Sequence, residues 1–271
     1  EIFKKYGVDA PKDFNDLVAI VNRMKAGGEG GIAYPGGDVK AQWMYNATVN
    51  VEAGAEGFKS FFEGVDSGSI LTVKDNAGIY AGLKALEAIN KANILYDNSV
   101  SVKYPQALSL FAQGKAPIVY MGTWTFGTAD TDFPGIDYGI FAMPTPNKSN
   151  MAFAEPAQIS CIYTQSKNIE AAKKWINFMA APENASIYIN TAKMTPTVKG
   201  VKAEFKGAEM LSEQMEKGAV ILPMAKQVNT DSYDAAFKSM AENILFKGAD
   251  VDKEISAFEE VLKKADLKNR K

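Results

Sequence analysis

The side chains best placed to do chemistry in this sequence are flat rings beside carboxylates, and the usual catalysts are missing. There is no histidine, Cys161 is the single cysteine, and arginine occurs only as Arg23 and Arg270. No intrachain disulfide, Cys-x-x-Cys redox pair, His-based triad or Cys/His zinc cluster can be built from that stock. Scarce arginine also removes the forked donor that holds a carboxylate or phosphate through two hydrogen bonds. Among what remains, Trp124 in Gly122-Thr-Trp and the pair Trp43 and Tyr45 in Gln42-Trp-Met-Tyr-Asn46 stand just past short apolar runs. Rings offer a flat face to C–H groups, while carboxylates and amides accept or donate hydrogen bonds at a guest's hydroxyl edge. Such a set suits reversible gripping of an uncharged, hydroxyl-rich molecule.

The elements that must position these residues can be read from the pattern around them. Ala107, Leu108, Leu110 and Phe111 have the spacing of a helix face, with a stop at Gly114. Ala116-Pro-Ile-Val-Tyr-Met121 then predicts a strand buried on both faces, and Gly122-Thr-Trp124 breaks it. A second apolar run, Tyr138 to Met143, closed by Pro144 and Pro146, predicts another strand. The indole is thereby placed at the carboxyl end of a sheet, the edge where ligands of open α/β sheets collect.

Upstream, Asp13 caps a helix carrying Phe14, Leu17, Ile20, Val21 and Met24, closed by Gly27-Gly28. Gly31-Ile-Ala-Tyr34 predicts a short strand, and a helical pattern from 39 to 51 carries Trp43 near its start. Residues 58–71 read as a short helix and loop, and Asp75 or Asn76 caps a helix that ends near Asn93. Further on, residues 159–163 predict a strand and Lys167-Asn168 open a helix whose stripe includes Trp175, Ile176 and Met179, with Trp175 assigned to the core. Three amphipathic helices follow, near 208–217, 232–246 and 251–264. The order suits a layered α/β lobe.

Length and charge set the outer limits. With 271 residues, 46% hydrophobic and 23% charged, there is mass for two domains or lobes. A net charge of −2 gives no nucleic-acid footprint and favours a neutral partner. No apolar run approaches a membrane span. The first residue is Glu1 and no signal-peptide succession follows it, so the chain is expected to start within a longer protein. The eleven methionines are scattered, which marks gap-filling core residues and not a metal site.

The succession FKKYGVDAPKDFNDLVAIVNRMKAGG, AQWMYN, LFAQGKAPIVYMGTW, DYGIFAMPTP, NIEAAKKWINFMAAPENASIYINTAKMTPT and ILFKGADVDKEI resembles the extracellular solute-binding proteins of ABC importers, in the sugar-binding, maltose-binding-protein-like branch. The resemblance implies an α/β, periplasmic-binding-protein-like (type II) lobe with a mixed sheet flanked by helices. Residues 1–158 and 200–271 would form a discontinuous C-terminal lobe. Residues 159–199 would cross over into an N-terminal lobe whose leading part is absent from this chain.

The resemblance also implies capture of a neutral carbohydrate between two lobes and delivery to the membrane permease of an ABC importer. That work would be done outside the cytoplasm by a monomer that uses no cofactor, metal or nucleic acid and performs no catalysis. The family's Gly-x-Trp position falls on Trp124, its aromatic near a helix start on Trp43 with Tyr45 flanking, and its aromatic on the penultimate helix on Tyr233. Glu155 and Asp38 are the candidate acceptors. Trp43, Trp124 and Tyr233 are expected in one cleft. Two alternatives stay open: the same fold holding a polyamine, peptide or other small solute, since rings with carboxylates also suit a cation, and a two-carboxylate glycoside hydrolase, for which no acidic pair follows the strands suitably.

Overall fold

The computed structural model describes residues 1–69, 72–148, 151–154, 159–221 and 231–264, with the backbone alone at Asp66, Val220, Ile221 and 231–234. The described chain opens with α1 (Ile2–Tyr6), α2 (Phe14–Ala26), β1 (Ile32–Ala33), α3 (Gly36–Val39), α4 (Gln42–Ser67) and α5 (Ala77–Ala92). It continues with α6 (Tyr104–Ala112), β2 (Ile118–Val119), α7 (Thr125–Asp132) and β3 (Ala152–Ala154). Then come α8 (Ile169–Ala180), α9 (Pro182–Ala192), α10 (Ala208–Lys217), β4 (Ala219–Ile221), α11 (Asp231–Lys247) and α12 (Val251–Lys264). Two compact units divide these elements. The first comprises Glu1–Tyr120, Phe141–Glu155 and Gln214–Lys271, the second Met121–Ile140 and Pro156–Glu213.

The first unit carries the sheet pairs and a continuous hydrophobic core. β1 and β2 run parallel with Ile32 opposite Ile118 and Ala33 opposite Val119, and β3 pairs in parallel with β4, Ala152 opposite Ala219. Helix caps are those the sequence announces. The Asp13 carboxylate accepts the Asp16 N–H at 2.8 Å, Asn76 accepts the Ile79 N–H at 3.0 Å, and Asn93 ends α5 in the left-handed region. α4 is longer than predicted: helical turns continue to Ser67, interrupted only where Gly54 adopts φ 71° and ψ 163°.

α4 and α5 meet backbone to backbone, and two glycines make this possible. A Cβ at Gly78 would fall 2.4 Å from the Ala53 Cα, and one at Gly82 would fall 2.5 Å from the Val49 Cα. Four residues separate each pair, so one small-residue stripe lies against one helix ridge. Gly82→Ala should therefore lower stability by up to about 2 kcal/mol, because the overpacking cost exceeds the roughly 1 kcal/mol of helix propensity that alanine adds. Urea denaturation of the variant checks this; a midpoint at or above the parent's would contradict the close approach.

Tyr34, at the end of β1, fixes the start of α4. Its side chain is fully buried, its hydroxyl accepts the Met44 N–H at 3.3 Å, and burial pushes its phenol pKa upward. That hydroxyl satisfies one of the N–H groups left open at a helix N-terminus. Trp43 thus stands on an anchored first turn.

In the second unit α8 and α9 pack together, and the ring of Phe126 stacks on Tyr138 at 5.9 Å and meets Phe205 at 5.8 Å. This unit contains residues 159–199 and adds 121–140 and 200–213 to them. Three expectations fail. Residues 138–143 and 159–163 make no strand among the described residues, and Ile159 and Tyr163 are exposed. Trp175 is not core: it is 60% exposed and stacks on Phe178 at 5.8 Å. The half-buried stripe of α8 is Ile169, Ala172, Ile176 and Met179, and Trp175 sits one helical step outside it.

Candidate functional site

Trp124 stands at the N-terminal end of α7, and its side chain lies over the backbone of Gly122. The residue is 38% exposed. A Cβ on Gly122 would come within 2.0 Å of the indole Cζ3, so the ring can lie there only because residue 122 has no side chain. Gly122→Ala should leave the unit folded, since an exposed side chain can rotate away, while moving the indole off its seat. Tryptophan emission that is unchanged in position and intensity would contradict this.

From the indole, one face of α7 presents Gly127, Thr128, Thr131 and Asp132 at helical spacing. Opposite stand Thr191, Ala192 and Lys193 at the end of α9. Together they border a shallow concavity of about 520 Å³, open to solvent. The two helices approach closely here, because a Cβ at Gly127 would lie 3.3 Å from the Ala192 carbonyl oxygen. Lys193, in the left-handed conformation at φ 54°, forms an ion pair with Asp130 on α7.

The other sequence candidates fall in the first unit or outside the described residues. Asp38 and Trp43 are brought together around Tyr104: the Asp38 carboxylate accepts the Tyr104 N–H at 2.7 Å, and Trp43 meets the Tyr104 ring edge-on at 6.2 Å. The Tyr104 N–H and then the Lys103 ammonium, 3.0 Å away, hold the Asp38 carboxyl below the usual carboxylate range. Its stabilising effect is therefore complete at neutral pH and is lost as pH falls through that lowered value. Asp38 works as a cap for α6 supplied from α3. Tyr45 is 6% exposed and sits edge-on against Phe237 at 5.4 Å, a flanking core ring. Glu155 and the side chain of Tyr233 lie outside the described residues, with the Tyr233 backbone in α11. Trp43 and the Tyr233 backbone belong to the first unit and Trp124 to the second.

Comparison with known proteins decides the family. Residues 1–186 match the sequence model of the bacterial extracellular solute-binding proteins. The chain belongs to that family. A multiple sugar-binding protein of Streptococcus mutans is 23% identical to this solute-binding chain over 243 residues, covering 85% of the chain and 52% of the relative. A probable sugar-binding periplasmic protein of Mesorhizobium japonicum is 25% identical over 192 residues, 62% of the chain and 44% of the relative. The solute-binding chain thus spans about half the length of these curated relatives. Among solved structures, a chitin oligosaccharide binding protein superposes with a TM-score of 0.74 at 17% identity, covering 97% of this chain and 67% of the other. RafE of Streptococcus pneumoniae gives 0.70 at 17% identity, with 96% and 66% covered. These likenesses establish the periplasmic-binding-protein-like fold.

Within the solute-binding chain, sequence reasoning found Trp124 but not Thr128, Thr131, Asp132, Thr191 or Lys193 beside it. The signal was faint. Thr125–Asp132 is rich in Thr, Gly and Asp, residues of low helix propensity, so the helix that aligns 124, 128 and 131 is not announced. Chemically the concavity offers a flat ring, threonine side chains and a carboxylate, with the Thr131 hydroxyl donating to the Gly127 carbonyl at 2.9 Å and left able to accept. Asp132 is the one carboxylate among the described lining residues. Among the described residues there is also no acidic or Cys/His cluster able to hold a metal, and no helix long and apolar enough to cross a membrane.

Proposed function

We propose that this solute-binding chain captures a neutral carbohydrate, a sugar or oligosaccharide, and serves its delivery to the membrane permease of an ABC importer on the extracytoplasmic side, without chemistry on the ligand. The observation that carries the reading is the exposed indole of Trp124 at the head of a concavity walled by threonine hydroxyls and Asp132. A sugar ring has a C–H face for the indole and equatorial hydroxyls for the wall. Relatives named for sugar binding, and solved structures of similar fold holding raffinose and stachyose, support the same class of guest.

Titration calorimetry with three panels tests this: neutral oligosaccharides, linear polyamines and short peptides. Saturable heat is expected from at least one oligosaccharide and from neither other panel. Binding confined to polyamines or peptides would overturn the carbohydrate reading, and release of reducing ends during the titration would overturn the binding one.

A further inference from the structure

The wall of the concavity contains a charge pair whose arrangement bears on which carbohydrates the site admits. Lys193 is the one cation among the described lining residues, and its charge is balanced by Asp130, which does not line the concavity and pairs with it from α7. Both side chains of the pair are about three-quarters shielded from solvent, which weakens screening of the pair relative to a surface one. With Lys193 neutralised in this way, the guest meets Asp132 and the carbonyl end of α9, which approaches α7 at Gly127. Helix carboxyl ends carry partial negative charge, and α7 also points its own carboxyl end toward Asp132. The wall is rich in acceptors and poor in free cations.

Resting on the carbohydrate reading of this same site, we propose that Asp130 is a specificity-determining positioning residue: by holding Lys193 it makes the concavity accept neutral sugars and reject uronate-bearing ones. A carboxylated sugar would place like charge within several ångströms of Asp132 and gain no compensating ammonium. Neutral hydroxyls, which donate as well as accept, meet no such cost.

The test is titration calorimetry of the full chain at low and at roughly 0.3 M ionic strength. Raffinose, xylotriose and chitotriose serve as neutral probes, and trigalacturonate and a glucuronate-substituted xylotriose as anionic ones. The parent protein should prefer neutral probes by about tenfold or more, and added salt should narrow that preference. Asp130→Asn frees the ammonium and should narrow it by about five- to tenfold; adding Lys193→Gln to that variant should restore it. A folded Asp130→Asn protein with the parent's preference overturns the inference while leaving the carbohydrate reading standing. If that variant does not fold, the salt series on the parent decides alone, and a preference that salt does not change overturns the inference. Failure of every probe to bind the parent overturns the carbohydrate reading and this inference with it.

Discussion

Replacing Trp124 with alanine should weaken binding of a neutral oligosaccharide about thirtyfold while leaving the protein folded. The magnitude follows from area: a sugar covering roughly 80 Å² of indole face at about 25 cal/mol/Å² gains about 2 kcal/mol, and each 1.4 kcal/mol is tenfold in affinity. The fold should survive because the residue is 38% exposed at the start of a helix and is not part of the buried core. Trp124→Phe, which keeps a flat face of smaller area, should recover part of the loss. Calorimetry on the three proteins checks the series. Equal affinity in parent and alanine variant would mean that the ring takes no part in holding the guest.

The second large effect concerns the scaffold. Phe237 on α11 is 2% exposed and touches three rings edge-on: Tyr45 at 5.4 Å, Phe62 at 5.6 Å and Phe258 at 5.4 Å. It joins α4, α11 and α12 in one core. Truncation to alanine loses the transfer energy of the ring and leaves a cavity that three rigid neighbours cannot fill, so the expected cost is about 3–5 kcal/mol. At about 2–4 °C per kcal/mol the midpoint of the first unit should fall by roughly 10 °C. Differential scanning calorimetry measures it. A shift under about 3 °C would show that the surrounding helices collapse onto the vacated space.

The contrast between these two variants shows what a sequence can reveal. Caps and periodic stripes are local, so Asp13, Asn76 and Asn93 and the stripe Phe14, Leu17, Ile20, Val21, Met24 were legible without any tertiary knowledge. Trp124 was legible for a related reason: a ring just past a glycine-bounded apolar run is a local pattern. The Gly78 and Gly82 contacts with Ala53 and Val49 were not, because a glycine in a helical stretch looks the same whether it faces water or another backbone.

Strand expectations failed where period alone was used. Residues 138–143 are apolar enough for a strand, but a strand also needs a ladder partner, and none stands beside them among the described residues. Trp175 was misplaced because an apolar arc wider than the packed stripe leaves the sequence unable to say which edge of it is covered. The wall residues Thr128, Thr131, Thr191 and Lys193 come from α7 and α9, far apart in the chain, and their convergence is a tertiary fact.

The most direct measurement uses the three tryptophans of the chain. With Trp43 and Trp175 replaced by phenylalanine, Trp124 is the sole indole and its emission reports the concavity alone. Titration with a neutral oligosaccharide that binds by calorimetry should shift that emission to shorter wavelength and saturate at the calorimetric midpoint, as the sugar displaces water from the ring. Calorimetric binding with emission that stays flat throughout would place the guest elsewhere and contradict the account.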